Sequence, residues 1–185
     1  MIITEIRIKN FKCFKEEFRL PLCKGVNILV GNNEAGKTTI IEAINLVLTG
    51  LYQGKSVRHD LSQYLFNYDA VKEYIVSLET PNILPPPSIS IELFFEDESS
   101  PAFMGDYNSK NNDKACGVRL DIHLDDKFKD EYATLVMSGL KTLPLEYYEV
   151  CWTGFARNYV IPRSIPMGLS LIHISEPTRL RCISY

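Results

Sequence analysis

The chain has 185 residues, a length that fits one domain, or one domain and a fragment of a second. Hydrophobic residues make up 45% and charged residues 23%, an ordinary balance for a chain with a sizeable core. The formal net charge of −3 excludes an overall basic footprint for nucleic acid and leaves room only for a local patch.

No stretch reaches the roughly 18 apolar residues of a membrane span. The start, MIITEIRIKNF, alternates polar and apolar residues and lacks the apolar run of a signal peptide. A cytoplasmic protein with no membrane partner is expected. Cys13, Cys23, Cys116, Cys151 and Cys182 are odd in number, widely spaced and free of any CxxC pair, so they read as free thiols.

Taken in chain order, Ile6 and Ile8 alternate with Arg7 and Lys9, which predicts a half-buried strand over residues 2–11. Phe11 to Phe14 reads as the turn out of it. Phe18, Leu20 and Leu22 alternate again and predict a strand pairing back, ended by Lys24-Gly25. Val26 to Val30 (VNILV) is short, β-branched and mostly apolar, and fits a buried strand. From Lys37 to Thr49, apolar residues fall at Ile40, Ile41, Ile44, Val47 and Leu48, the spacing of a helix, with Gly50 at its C-terminal stop.

Residues 52–62 are polar and irregular, and 63–77 carry a weaker helical pattern. Pro81 and Pro85 to Pro87 form a stiff connector. Ile89 to Phe95 alternates as a strand with one wet face, which would hold Glu92. Residues 97–114 read as a loop or hairpin tip. Val118 to Leu124 and Leu145 to Phe155 read as further strands. The sum is an α/β fold with a mixed sheet and antiparallel strands.

Leu169 to Tyr185 does not continue this pattern. LSLIHISEPTR within it resembles the translation of a transposon-based sequencing adapter. The expected organisation is therefore a lobe over residues 1–168 and an artefactual tail over 169–185, with the natural protein longer than this chain.

The chemistry concentrates at Gly31 to Thr38, GNNEAGKT, which meets the phosphate-loop pattern G-x-x-x-x-G-K-[ST]. Gly31 and Gly36 allow a tight backbone curl where a β-carbon would clash. Inward N–H groups and the start of the following helix favour phosphate. Lys37 can reach the outer phosphates, Thr38 offers a hydroxyl to Mg²⁺, and Thr39 is placed to touch an outer phosphate. The candidate nucleotide contacts are Gly31, Asn32, Asn33, Glu34, Ala35, Gly36, Lys37, Thr38 and Thr39, with Thr38 as the metal contact. The expected cofactors are ATP and Mg²⁺.

Hydrolysis needs more: a carboxylate on Mg²⁺ at the end of a buried strand, the Walker B element, and a group that positions water. Ile91 to Asp97 (IELFFED) is the one candidate, and its alternation favours a solvated Glu92. His59-Asp60 reads as a polar loop pair, and His123 as part of a solvated strand face. Trp152, Tyr147, Tyr148 and Phe155 read as core packing. No catalytic residue is identified.

Ile6, Ile8, Asn10, Phe11 and Phe14, followed by Gly31 to Thr39 and Ile41-Glu42-Ala43, resemble the RecF/SMC-type ABC ATPases. Within them the chain is most similar to the ATPase domain of the OLD-family ATP-dependent endonucleases, a resemblance that EYYEVCW (146–152) and RSIP (163–166) share. The resemblance implies a P-loop NTPase lobe, incomplete here, that forms a homodimer around ATP and acts on DNA in repair or phage defence. It also implies that the signature motif, Walker B strand and metal-dependent Toprim nuclease come later in the protein. Lys12 is a further nucleotide contact that the resemblance implies.

Overall fold

The first strand, β1 (Ile2–Lys9), forms where the alternation predicts it. In the computed structural model, which describes residues 2–32, 35–96, 101–112 and 114–165, its core side chains Ile6 and Ile8 are fully buried. A tight turn at Phe11–Phe14 reverses the chain into β2 (Phe18–Pro21), which pairs antiparallel with β1. Asn10 and Lys12 flank fully buried Phe11 with φ of 57° and 50°. That left-handed backbone is uncommon outside glycine and lets the turn close around the ring.

Helix α1 spans Lys37–Thr49, and Gly50, at φ 70°, ends it by donating its N–H to the Leu46 carbonyl. A small hairpin follows, β3 (Leu51–Tyr52) with β4 (Lys55–Ser56), inside the stretch the sequence leaves irregular. Helix α2 (Tyr68–Ser77) starts at Asn67, whose side chain accepts from the Ala70 N–H. Then come β5 (Ile89–Glu96), β6 (Cys116–Leu124), helix α3 (Lys129–Met137) and β7 (Tyr148–Gly154).

The strands form a five-stranded sheet in the order β2-β1-β5-β6-β7, and every pair in it is antiparallel. Register places Ile8 beside Ile91, Ile91 beside Leu120, and Leu120 beside Trp152. This apolar row joins the core that α1 also enters through Ile40, Ala43, Ile44, Leu46, Val47 and Leu48. Burying each such side chain is worth about 1.5–3 kcal/mol. Trp152 Nε1 donates to the Val47 carbonyl at 2.9 Å, tying β7 to the helix. The α/β architecture with antiparallel strands, and the core role of Trp152 and Phe155, are as the sequence predicts.

Two expectations fail. Val26 to Val30 is not a buried strand: Val26, Ile28 and Val30 are 87%, 80% and 89% exposed, and the segment joins no sheet. β-branched residues favour extended backbone, but a strand also needs a ladder partner, and none of the described strands lies beside this one.

The second failure is Glu92, which is 3% exposed rather than solvated. Register aligns Arg7, Glu92 and Arg119 across β1, β5 and β6, on the face opposite the apolar row. The loop after β5 folds over that face: Ser109 donates to Glu92 from its N–H at 3.0 Å, and Arg7 donates to Ser109 Oγ at 2.7 Å. Arg7 is likewise buried, not on a wet face. Helix α3 falls in a stretch for which the sequence predicts no element; five of its nine residues are apolar, but only Tyr132 is buried. The tail over 169–185 and Asp97 lie outside the described residues.

Candidate functional site

The predicted phosphate loop lies at the start of α1. Gly36 caps the helix at φ 82°, ψ 8°, a backbone only glycine adopts freely. A Cβ there would stand 2.7 Å from Phe14 Cζ and 3.0 Å from Cys13 Sγ. Gly31 comes close to Ala35, with 3.2 Å from its would-be Cβ to the Ala35 Cβ, and the Ala35 N–H donates to the Asn32 carbonyl. The loop is therefore curled. Asn33 and Glu34 lie outside the described residues.

The first turn of α1 has no side-chain cap and no acidic residue. A helix start carries partial positive charge and N–H groups without intrahelical partners. An end left without an acceptor side chain suits an anion. Thr38 is exposed, whereas Thr39 is buried at 8% exposure and accepts from the Cys13 thiol at 3.5 Å. Lys37 folds back: its ammonium donates to the carbonyls of Gly31 and Asn32, the latter at 2.8 Å.

The β1–β2 turn forms one wall. Phe14 lies against Gly36 and stacks on Phe18, with ring centroids 4.3 Å apart. Lys12 bonds Glu42 of α1 and sits 4.9 Å from the Tyr52 ring. Burial works against the charge of Lys12, but Glu42 and the Tyr52 hydroxyl outweigh it and hold its pKa above the ordinary lysine value. The turn thus brings Lys12, Cys13 and Phe14 to the predicted phosphate loop. Cys13, Phe14 and Glu42 were missed as site neighbours, although the N-F-x-x-F spacing after β1 carried the signal.

The one Walker B candidate is not brought to the loop. Ile91 and Leu93 enter the core with α1, so Glu92 between them projects to the opposite face. There its carboxylate accepts from Ser109 and pairs with Arg119 Nη1 at 3.4 Å. Burial raises its pKa, against the lowering effects of Ser109 and Arg119. It stitches a loop to the sheet.

A second concavity, a cleft of about 380 Å³ beside β6 and β7, is lined by Asp121, His123, Asp125, Glu149 and Cys151 among others. Burial first, and Glu149 next, push the Cys151 thiol up to about 12, so it is no nucleophile at neutral pH. No group of three or more His, Cys, Asp or Glu among the described residues is arranged to hold a metal. His59 and Asp60 are exposed loop residues, and Asp60 pairs with Lys55 at 2.7 Å. No helix among the described residues is long and apolar enough to cross a membrane.

A family model described as an AAA domain matches residues 5–153. The DNA replication and repair protein RecF of Caldanaerobacter subterraneus subsp. tengcongensis is 35% identical over 78 residues, 42% of this chain and 20% of that protein. The OLD nuclease of Thermus scotoductus is 36% identical over 83 residues, 43% of this chain and 15% of that protein. The solved SMC head domain from Thermotoga maritima is 18% identical, with a TM-score of 0.42, over 90% of this chain and 41% of that one. The matched stretch is thus a fifth or less of these two curated relatives. The kinship with OLD, RecF and SMC ATPases expected from the loop and the first strand is borne out.

Proposed function

The chain belongs to the AAA domain family, and from that premise we propose that it binds ATP with Mg²⁺ at Gly31 to Thr39. In the longer natural protein it is the ATPase lobe of an OLD-like DNA endonuclease, or of a related repair or defence ATPase, working as a homodimer. The observation that carries the reading is the start of α1, which has no side-chain cap and no acidic residue in its first turn, behind a left-handed Gly36. The loop N–H groups and Lys37 would hold the phosphates, and the hydroxyl of exposed Thr38 would meet the metal. Mg²⁺ would supply charge neutralisation across the outer phosphates. Binding is assigned to this chain and hydrolysis only to the longer protein, because Glu92 is engaged on the far face of the sheet.

Titration of the chain with ATP, with and without Mg²⁺, tests the first half. Binding that Mg²⁺ strengthens is expected, and no binding at millimolar ATP sinks the reading. The second half is tested on the full-length protein with duplex DNA. Metal-dependent cleavage supports the OLD-like assignment. ATP turnover without cleavage moves it to a RecF-like ATPase, which the matched RecF stretch also favours.

A further inference from the structure

Strand β7 ends the sheet on one side, and no described strand lies beyond it. The Asp125 N–H donates to the Tyr147 carbonyl and the Phe155 N–H to the Gly117 carbonyl, so the odd-numbered backbone groups here face β6. Those of Tyr148, Val150, Trp152 and Gly154 face outward. Residues 158–160 cover the later part of that edge: Gly154 donates to the Asn158 carbonyl and Val160 to the Trp152 carbonyl, both at 2.9 Å. Continued, this pairing would set Pro162 opposite Val150. Proline has no N–H to give, and the chain turns away there into a short 3₁₀ helix, Pro162–Ser164. The Tyr148 N–H donates to the Leu145 carbonyl. The Tyr148 carbonyl and both backbone groups of Val150 are left facing an open edge.

Two clefts meet at this edge, and Glu149, Cys151 and Tyr159 line both. One, of about 520 Å³, is mostly apolar, with Tyr148, Val150, Val160 and Ile161 beside Arg58. Tyr159 and Ile161 are 84% and 67% exposed there. The other, of about 380 Å³, sets Asp121, Asp125, Asp126 and Glu149 against Arg157. We propose that the open edge of β7 docks an extended segment of another protein, which adds as a further strand with apolar side chains in the first cleft and basic ones in the second. Successive side chains of a strand point to opposite faces, so one alternating segment serves both clefts. A second copy of β7 would instead set like charges against each other, and the same carboxylates repel the phosphates of DNA. Trp152 and Pro162 meet α1 at Val47 and Gly50, at the end of the helix away from the phosphate loop, so this docking is independent of ATP binding.

The probe is the end-blocked peptide Val-Lys-Val-Lys-Val, titrated at low salt into the 185-residue chain, with calorimetry for affinity and hydrogen exchange for the Val150 amide. Saturable binding, weakened by salt, is expected, with Val150 exchange slowed at least about tenfold. Val-Glu-Val-Glu-Val should bind at least about tenfold more weakly. Residues directly opposite each other on paired strands share a face, so the peptide valines oppose Tyr148 and Val150 and turn their N–H groups to β7. Methylating the valine nitrogens should therefore weaken binding at least about tenfold, and methylating the lysine nitrogens much less. Glu149→Lys, with its fold checked by a melt, should weaken the basic peptide at least about fivefold. No binding at millimolar peptide overturns the proposal, as does equal affinity for the basic and acidic peptides or for the two methylated ones. Slow Val150 exchange in the free chain overturns it too: growth with concentration makes the occupant a second copy, and no dependence means the chain covers its own edge.

Discussion

Replacing Gly36 by alanine should damage both the fold and the site, by an amount the geometry sets. At φ 82° the new side chain pays the left-handed penalty, about 1–2 kcal/mol. Its Cβ would also meet Phe14 Cζ at 2.7 Å and Cys13 Sγ at 3.0 Å. The Phe14 ring is stacked on Phe18 with planes 21° apart, so moving it disturbs a packed pair. Overpacking of this kind costs about another 1–2 kcal/mol. The total of about 2–4 kcal/mol, at about 2–4 °C per kcal/mol for a chain of this size, lowers Tm by about 4–16 °C. Phe14→Leu removes the ring edge, so the double variant should recover the steric part, about 1–2 kcal/mol relative to additivity, and not the backbone part. Calorimetric melts of the four proteins measure this. A Gly36→Ala melt within about 1 °C of wild type, or strict additivity in the cycle, would refute the reasoning.

Three further outcomes are expected. Glu92→Ala leaves the Ser109 N–H and hydroxyl without their acceptor, which should cost about 1–3 kcal/mol in urea unfolding and speed exchange in residues 104–112. Because burial raises the Glu92 pKa in the folded state, the folded protein holds the proton more tightly. The group's contribution is thus fully present below its ordinary range and declines as pH rises towards the raised value. Relative to Glu92→Gln, wild type should lose stability as pH rises above the ordinary glutamate range, and a gain would contradict the account. Trp152→Ala empties the most voluminous fully buried side chain and breaks the bond to Val47, for about 3–5 kcal/mol by thermal melting. Removal of residues 169–185 should leave Tm unchanged if the lobe ends at residue 168, and a drop of several degrees would show the tail belongs to the fold.

Most of this architecture is legible in the residues, where local pattern and tertiary need agree. α1 has the predicted bounds, because its apolar spacing, the glycine before it and Gly50 after it all act within a few residues. β6 and β7 follow from alternation in the same way. Glu92 misled because alternation marks two faces and cannot say that a loop some 17 residues on will cover the polar one. Residues 26–30 misled for the opposite reason: the pattern promises a strand, but a strand needs a partner, and pattern carries no information about one. The loop itself was read from glycine spacing and Lys37. The wall built by Cys13 and Phe14 depends on a turn with positive φ at Asn10 and Lys12, which sequence does not display.

The central claim is nucleotide binding at Gly31 to Thr39, and titration calorimetry of wild type and Lys37→Ala with ATP and Mg²⁺ tests it most directly. The lysine donates to two loop carbonyls, and a thermal melt of the variant beside wild type shows whether the fold is kept. A charge-assisted bond of about 1.5–3 kcal/mol per contact, over more than one phosphate oxygen, predicts ATP affinity lowered at least about a hundredfold. An unchanged Kd in a folded Lys37→Ala protein would contradict the claim.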